Sequence, residues 1–258
     1  MGTMKKVSIL LMVGIVCALC ILPNVKGKKR GTSKSVVNNA KTALKTEYSK
    51  KSGVSGVSVS GTETKQNSQN YDQSVLRKYY NNNNGTAKDL TDGICWCAAT
   101  TSLLKFFKVS KGKDELAKSL IEQALSKGWI SATDTGMSAW DHDDLVTFGF
   151  TNNSIKKEGN LDFYGIYDTL KSEVDNGRVV LFMVEDHTMT GCGYVQYTVN
   201  YTKTNSKGKK TSESDKVDYV IVNDTWSDSR QYSYFPEDEI GTNIFTRWGF
   251  GIVKVLNK

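Results

Sequence analysis

Two neighbouring thiols and two imidazoles hold most of the reactive chemistry of this chain. Cys95 and Cys97 flank Trp96 in the stretch GICWCAATTSLLKFF, residues 93–107, and His142 and His187 are its 2 histidines. A cysteine acts as a nucleophile through its thiolate, and a thiol catalyst needs an imidazole to take the proton. Asp92-Gly93 breaks the chain and places Asp92 to cap a helix beginning just after it. Apolar residues then recur at Trp96, Ala99, Leu103 and Phe106-Phe107, the period of a helix with one buried stripe. A sulfur at a helix N-terminus meets unpaired N–H groups and about half a positive charge, which favours thiolate. Cys95 lies at that mouth. Cys97, two residues on, is turned away by about 200° at ~3.6 residues per turn, so the two thiols cannot share one cleft. Cys95 is the candidate nucleophile, and Cys97 and Cys192 read as small buried hydrophobes.

His187 comes after Glu185-Asp186 and opens the run HTMTGCGY. Strand alternation puts His187, Met189, Gly191 and Gly193 on one face, and two glycines there suggest a closely packed neighbour. Asn223-Asp224-Thr225-Trp226 ends a later apolar run. A carboxylate or amide at that strand end, beside the His187 strand, is placed to orient the ring and stabilise imidazolium; the competing role is turn formation. A metal site is the other use of such residues. Cys-x-Cys with one histidine lacks the second ligand pair of a structural zinc site, and Asp141-His142-Asp143-Asp144 reads as a solvated helix cap.

The elements that must position these groups divide by period. Lys113 to Leu125 repeats as a helix with Leu116, Leu120, Ile121 and Leu125 inward, DTGMSAWDHDDLVTFGF is a loop and short helix that Asp141 or Asp143 caps, and Phe163 to Val174 is a further helix stopped at Asp175-Asn176-Gly177. The period then changes to that of strands: RVVLFMVE, HTMTGCGYVQYTVNY, VDYVIVND, SRQYSYF and RWGFGIVKVL, with TKTNSKGKKTSESDK as a polar hairpin tip. Helices first and an antiparallel sheet second predict an α+β fold.

The 258 residues carry a formal net charge of +7 and 5 cysteines. Met4-Lys5-Lys6 and the apolar run Val7 to Leu22 read as an export signal ending near Gly27, because that run falls short of the about 20 apolar residues of a spanning helix. An uncleaved anchor is the alternative. Removal of residues 1–27 leaves Cys95, Cys97 and Cys192, an odd set that suits a free reactive thiol and is too sparse for a disulfide scaffold. Residues 28–85 are basic, then rich in Ser, Gly and Asn, with few large apolar side chains to offset ordering entropy. They read as a linker, pro-segment or cationic surface arm, and residues 86–258 as the folded domain.

Three of these stretches, in this order, resemble the papain-like cysteine peptidases. Cys95-Trp96 resembles their nucleophile pair, His187 with Gly193-Tyr194 their His-x5-Gly-Tyr strand, and DYVIVNDTW the strand carrying the orienting residue and its tryptophan. CWCAATTSLLKFF is similar to the Cys-x-Ala-Ala-Thr helix start of bacterial immunoglobulin-degrading cysteine endopeptidases. The resemblance covers about residues 86–256. It implies a papain-like fold, a helical half with the nucleophile helix packed on an antiparallel sheet, and a Cys95–His187–Asp224 triad with Trp226 shielding the histidine's hydrogen bond. The family's glutamine donor six residues before the nucleophile is replaced here by Asp89, which cannot donate when ionised. The Cys95 N–H and Lys88 are the candidates for the oxyanion, with Asn84 a weaker one. A secreted monomeric endopeptidase is implied, without metal or organic cofactor, acting on a protein substrate such as immunoglobulin and binding neither nucleic acid nor, once the signal is removed, a membrane. An amidase or acyl transferase on peptidoglycan with the same triad, and a non-catalytic binding module, are the alternatives.

Overall fold

The apolar run after Cys95 forms a helix at the centre of the computed structural model, which describes residues 37–84, 93–131, 136–155, 161–162, 166–184, 187–226, 232–237 and 252–253, all within the unit Ser35–Lys258. In chain order the elements are α1 (Ala40–Ser49), β1 (Val54–Ser60), β2 (Glu63–Lys65), α2 (Gln73–Asn84), α3 (Cys95–Phe106), α4 (Lys113–Ser126), α5 (Ala139–Thr151), β3 (Leu161–Asp162), α6 (Ile166–Asp175), β4 (Val180–Val184), β5 (His187–Thr204), β6 (Lys210–Asn223), β7 (Ser233–Pro236) and β8 (Ile252–Val253). The fold is α+β, and its sheet is antiparallel throughout.

The sheet runs β3-β8-β4-β5-β6-β7, with β1 and β2 also paired to β5. Strand β5 organises it. One of its edges takes β6 along most of its length; against the other, β4 pairs with its first residues, β2 with Gly193–Val195 and β1 with Thr198–Lys203. The hairpin between β5 and β6 is tighter than the polar composition of 202–216 suggests. Both strands continue through that stretch, and the turn is confined to residues 205–209. Cross-strand pairing can satisfy the main chain of a polar ribbon even where its side chains remain in water.

Strand alternation gives the sheet two apolar faces. Leu181, Met183, Cys192, Val195, Tyr197 and Ile221 join the core beneath α3, α4 and α5. Val180, Met189, Val220, Val222 and Phe235 pack on Leu170 and Val174 of α6. Helix α3 is the innermost: every residue from Cys95 to Leu104 is buried, so the expected single stripe is replaced by burial on all sides. A helix apolar all round requires cover all round, and the polar segment preceding it in sequence supplies part of that cover.

The expectation that residues 28–85 are a linker is corrected over 37–84. Ala40, Leu44 and Tyr48, spaced by four, form the buried face of α1. Val54, Val57 and Val59 are the half-buried side of β1. Val37 forms an isolated bridge with Tyr234, N to O at 3.0 Å. Two strands therefore precede the helices of the 86–258 region, rather than helices coming first. The 1–27 signal and Lys88-Asp89 lie outside the described residues. Among the described residues no helix is long and apolar enough to cross a membrane.

Candidate active site

Cys95 is the first residue of α3, and Ile94 occupies the cap position without a side-chain cap bond. Asp92, the expected cap, lies outside the described residues. Within this first turn the Cys97 N–H bonds Ile94 O at 2.9 Å, and the Cys95 N–H lies at the mouth of the helix. Cys95 is 7 % exposed, and its thiol is hydrogen-bonded to the His187 side chain. Burial pushes its pKa up, but the His187 bond and charge together with main-chain groups of Thr188 and Trp96 outweigh that, and the net direction is down. Cys97 points the other way, as a separation of about 200° requires: its Sγ lies 3.7 Å from the Ala117 carbonyl of α4. Burial raises the thiols of Cys97 and Cys192 well above the ordinary range. All three are free cysteines.

His187 begins β5 and is 9 % exposed. Its Nε2 lies 2.6 Å from the main-chain oxygen of Asp224. Trp226 stacks on the ring, with centroids 4.6 Å apart and planes 17° from parallel. Thr225 Oγ1 is 3.4 Å from the same Nε2. The sequence thus brings Cys95, His187, Asp224 and Trp226 together, but the role expected of Asp224 changes. Its main-chain carbonyl holds the imidazole, while its carboxylate holds the turn. Oδ1 accepts Asn70 Nδ2 at 2.8 Å and the Trp226 N–H at 3.0 Å, and Oδ2 accepts Ser233 Oγ at 2.5 Å.

The closely packed neighbour expected at the glycines of the His187 strand is, at Gly193, strand β2. Met189, of the same parity as His187, packs on the α6 side, and Cys192 falls at a bulge between Gly191 and Gly193. A Cβ on Gly193 would come within 2.6 Å of both Lys65 Cβ and Thr64 O, so the missing side chain admits β2.

Asn70, Ser68 and Gln73 are site-adjacent residues that sequence reasoning assigned to a spacer. Asn70 is fully buried and makes a two-way link, giving Nδ2–H to Asp224 and accepting the Thr225 N–H at 2.9 Å. Ser68 joins the two halves: its Oγ accepts Asn223 Nδ2 at 2.7 Å and lies 3.3 Å from Ser102 Oγ on α3. Gln73 gives its main-chain N–H to Thr225 O at 2.9 Å; its side-chain amide is buried and has no hydrogen-bond partner among the described residues. The legible signal was the density of Asn, Gln and Ser at 66–74, side chains that can bond main chain when buried.

His142 is not a surface ligand. It is 1 % exposed, its Nε2 lies 3.1 Å from Thr100 Oγ1, and it bonds the main chain of Trp96, so it ties α5 to the first turns of α3. Helix α5 is capped by Ser138, which accepts the Asp141 N–H at 3.1 Å and donates to Asp141 Oδ2 at 2.7 Å, rather than by Asp141 or Asp143. Among the described residues no group of His, Cys, Asp and Glu side chains gathers to hold a metal ion. Comparison of the chain with family models, with curated proteins and with solved structures finds no match.

Proposed function

We propose that the chain is an exported cysteine endopeptidase of papain-like type, with Cys95 as nucleophile and His187 as proton carrier. The observation that carries the reading is the buried hydrogen bond between the Cys95 thiol and the imidazole, which with its neighbours outweighs the effect of burial on the thiol. An inert core cysteine has no such partner; Cys97, two residues away, has its thiol pushed up by burial.

With Nε2–H given to the Asp224 carbonyl, Nδ1 is left to accept the thiol proton. The sulfur adds to the scissile carbonyl carbon. The C–N bond then breaks as His187 protonates the departing amine, leaving a thioester on Cys95. His187 next takes a proton from water, whose oxygen adds to the thioester; the acid product leaves and the thiol is restored. The Cys95 main-chain N–H at the start of α3 suits the developing oxyanion. Trp226 covers one face of the imidazole and excludes water from the Asp224 bond. This chemistry draws on no metal or organic cofactor.

The test uses the purified exported chain with an epoxide-type thiol inhibitor and a denatured protein substrate. The expected result is labelling of Cys95, loss of labelling in Cys95→Ala and His187→Ala, and cleavage that disappears with them. Labelling without protein cleavage, but with hydrolysis of cell-wall fragments, would move the reaction to an amidase. No selective labelling of Cys95 would leave a binding module.

A further inference from the structure

We propose that Asn70 is a positioning residue of the Cys95–His187 pair, and that the segment from Gln66 to Gln73 is a strap that completes the site rather than a removable pro-segment. The inference rests on the peptidase reading and extends it to a stretch that reaction chemistry alone would not implicate.

The strap is bonded to every part of the site's frame. At its start Gln66 gives its N–H to Cys192 O at 2.7 Å on β5 and its Nε2–H to Val174 O at 2.8 Å on α6. In its middle the carbonyl of Gln69 accepts Ser102 Oγ at 2.5 Å, and Ser68 meets both Ser102 and Asn223. At its end Asn70 and Gln73 grip residues 224–225 from both sides: Asn70 takes the Thr225 N–H and donates to Asp224, and Gln73 donates to Thr225 O.

The gripped turn needs a grip. Thr225 has φ 65°, a left-handed conformation that a β-branched residue resists at a cost of about 1–3 kcal/mol. That conformation lets the Asp224 carbonyl meet His187 while Trp226 folds back over the ring. Asn70 satisfies the strained residue's N–H and the adjacent carboxylate with one buried amide. Without it, the turn loses two of the bonds holding it against relaxation, among them the one to the strained residue's own N–H, and the carbonyl moves off the imidazole. The thiol then loses an oriented base. Cleavage within 66–73 has the same consequence, so the strap's excision disarms the site.

The experiment compares full-length wild type, Asn70→Ala, Asn70→Asp, His187→Ala and Leu44→Ala, the last removing buried packing on α1, which carries none of the site residues. Iodoacetamide alkylation of Cys95 is monitored against pH by mass spectrometry, with kcat and KM on a denatured protein and a thermal melt for each variant. Asn70→Ala is expected to slow alkylation about 10-fold near neutral pH, displace its profile to higher pH, and lower kcat about 10²-fold with KM little changed. Asn70→Asp keeps the acceptor for Thr225 and loses the donor to Asp224, so it shifts the profile the same way even if the alanine variant fails to fold. Leu44→Ala lowers the melting temperature and leaves the profile in place. An Asn70→Asp profile superimposed on wild type, or one displaced no further than that of Leu44→Ala, overturns the positioning role while the peptidase reading stands. A wild-type Cys95 alkylated no faster than in His187→Ala overturns both.

Discussion

The Nε2 of His187 sits 2.6 Å from the main-chain oxygen of Asp224, whose carboxylate is turned to Asn70, Ser233 and the Trp226 N–H. In a triad built on a side chain, the third residue's charge meets the ring directly. Here the ring is oriented by a peptide carbonyl, and the side chain acts one step back, on the shape of the turn.

That division makes the two obvious changes at Asp224 unequal. Asp224→Asn keeps Oδ1 for Asn70 and the Trp226 N–H, and its new Nδ2–H can donate to Ser233 Oγ, so the turn and its carbonyl stay in place. Turnover is expected to remain within about 10-fold of wild type, whereas Asp224→Ala, which frees the turn, is expected to lose about 10²-fold. Steady-state kinetics on both variants checks this. An Asp224→Asn loss nearer the ~10⁴-fold of a triad with its tautomer reversed would return the orienting role to the carboxylate.

The neighbouring thiols should separate as cleanly. Cys97 lies under α4 with its Sγ against Ala117 O, on the far side of α3 from the imidazole. Cys97→Ala is expected to keep most activity and to cost about 1 kcal/mol of stability in a denaturant titration. Cys95→Ala is expected to abolish cleavage and thiol labelling with its fold intact. The opposite pattern would move the nucleophile.

The close approach at Gly193 gives a test that joins fold to site. A Cβ there meets the Thr64 main-chain oxygen at 2.6 Å, and Lys65 is the last residue of β2 before Gln66 opens the strap. Gly193→Ala is expected to lower stability by about 1–3 kcal/mol, because main chain cannot swing aside as a side-chain end can. Thermal melts read the first effect. Slower Cys95 alkylation reads the second, the displacement of the strap's anchored start.

How much the sequence made legible depends on how local each signal is. Cys95 at a helix mouth, Cys97 on the opposite side, the 113–126 helix and the His187 strand rest on spacing within a few residues, and the structure places them there. The strap has no such local signature. Its few large apolar residues argued against a core, but it is held by hydrogen bonds to residues more than a hundred positions away, Asn70 to Asp224 and Ser68 to Asn223 among them. Alternation at Val57 and Val59 and the four-residue spacing of Ala40, Leu44 and Tyr48 were visible signals, outweighed by the surrounding Ser, Gly and Lys. The swap of roles at Asp224 had no sequence signal, since every residue carries the same carbonyl.

Acid should loosen helix α3 through His142. Its ring is buried between α5 and α3, facing Thr100 Oγ1 and the Trp96 main chain, and burial pushes its pKa down from 6.5 to about 3, against the opposing pull of the Trp96 bond. Among the acidic residues of its own helix, Ser138 holds Asp141 at the cap, Asp143 is half-buried beside the histidine, and Asp144 is exposed. The folded state therefore holds the imidazole neutral over a range in which the unfolded chain binds a proton. Stability from this group is present above about pH 6.5 and falls as the pH drops toward 3, by about 1.4 kcal/mol per pH unit for one proton. Denaturant titrations from neutral pH to pH 4 measure the slope. His142→Asn, which does not titrate there, is expected to start lower in stability and to lose that share of the slope. An unchanged slope in the variant would show that protonation of His142 does not drive the acid loss, and would remove the neutral clamp on α3 as its cause.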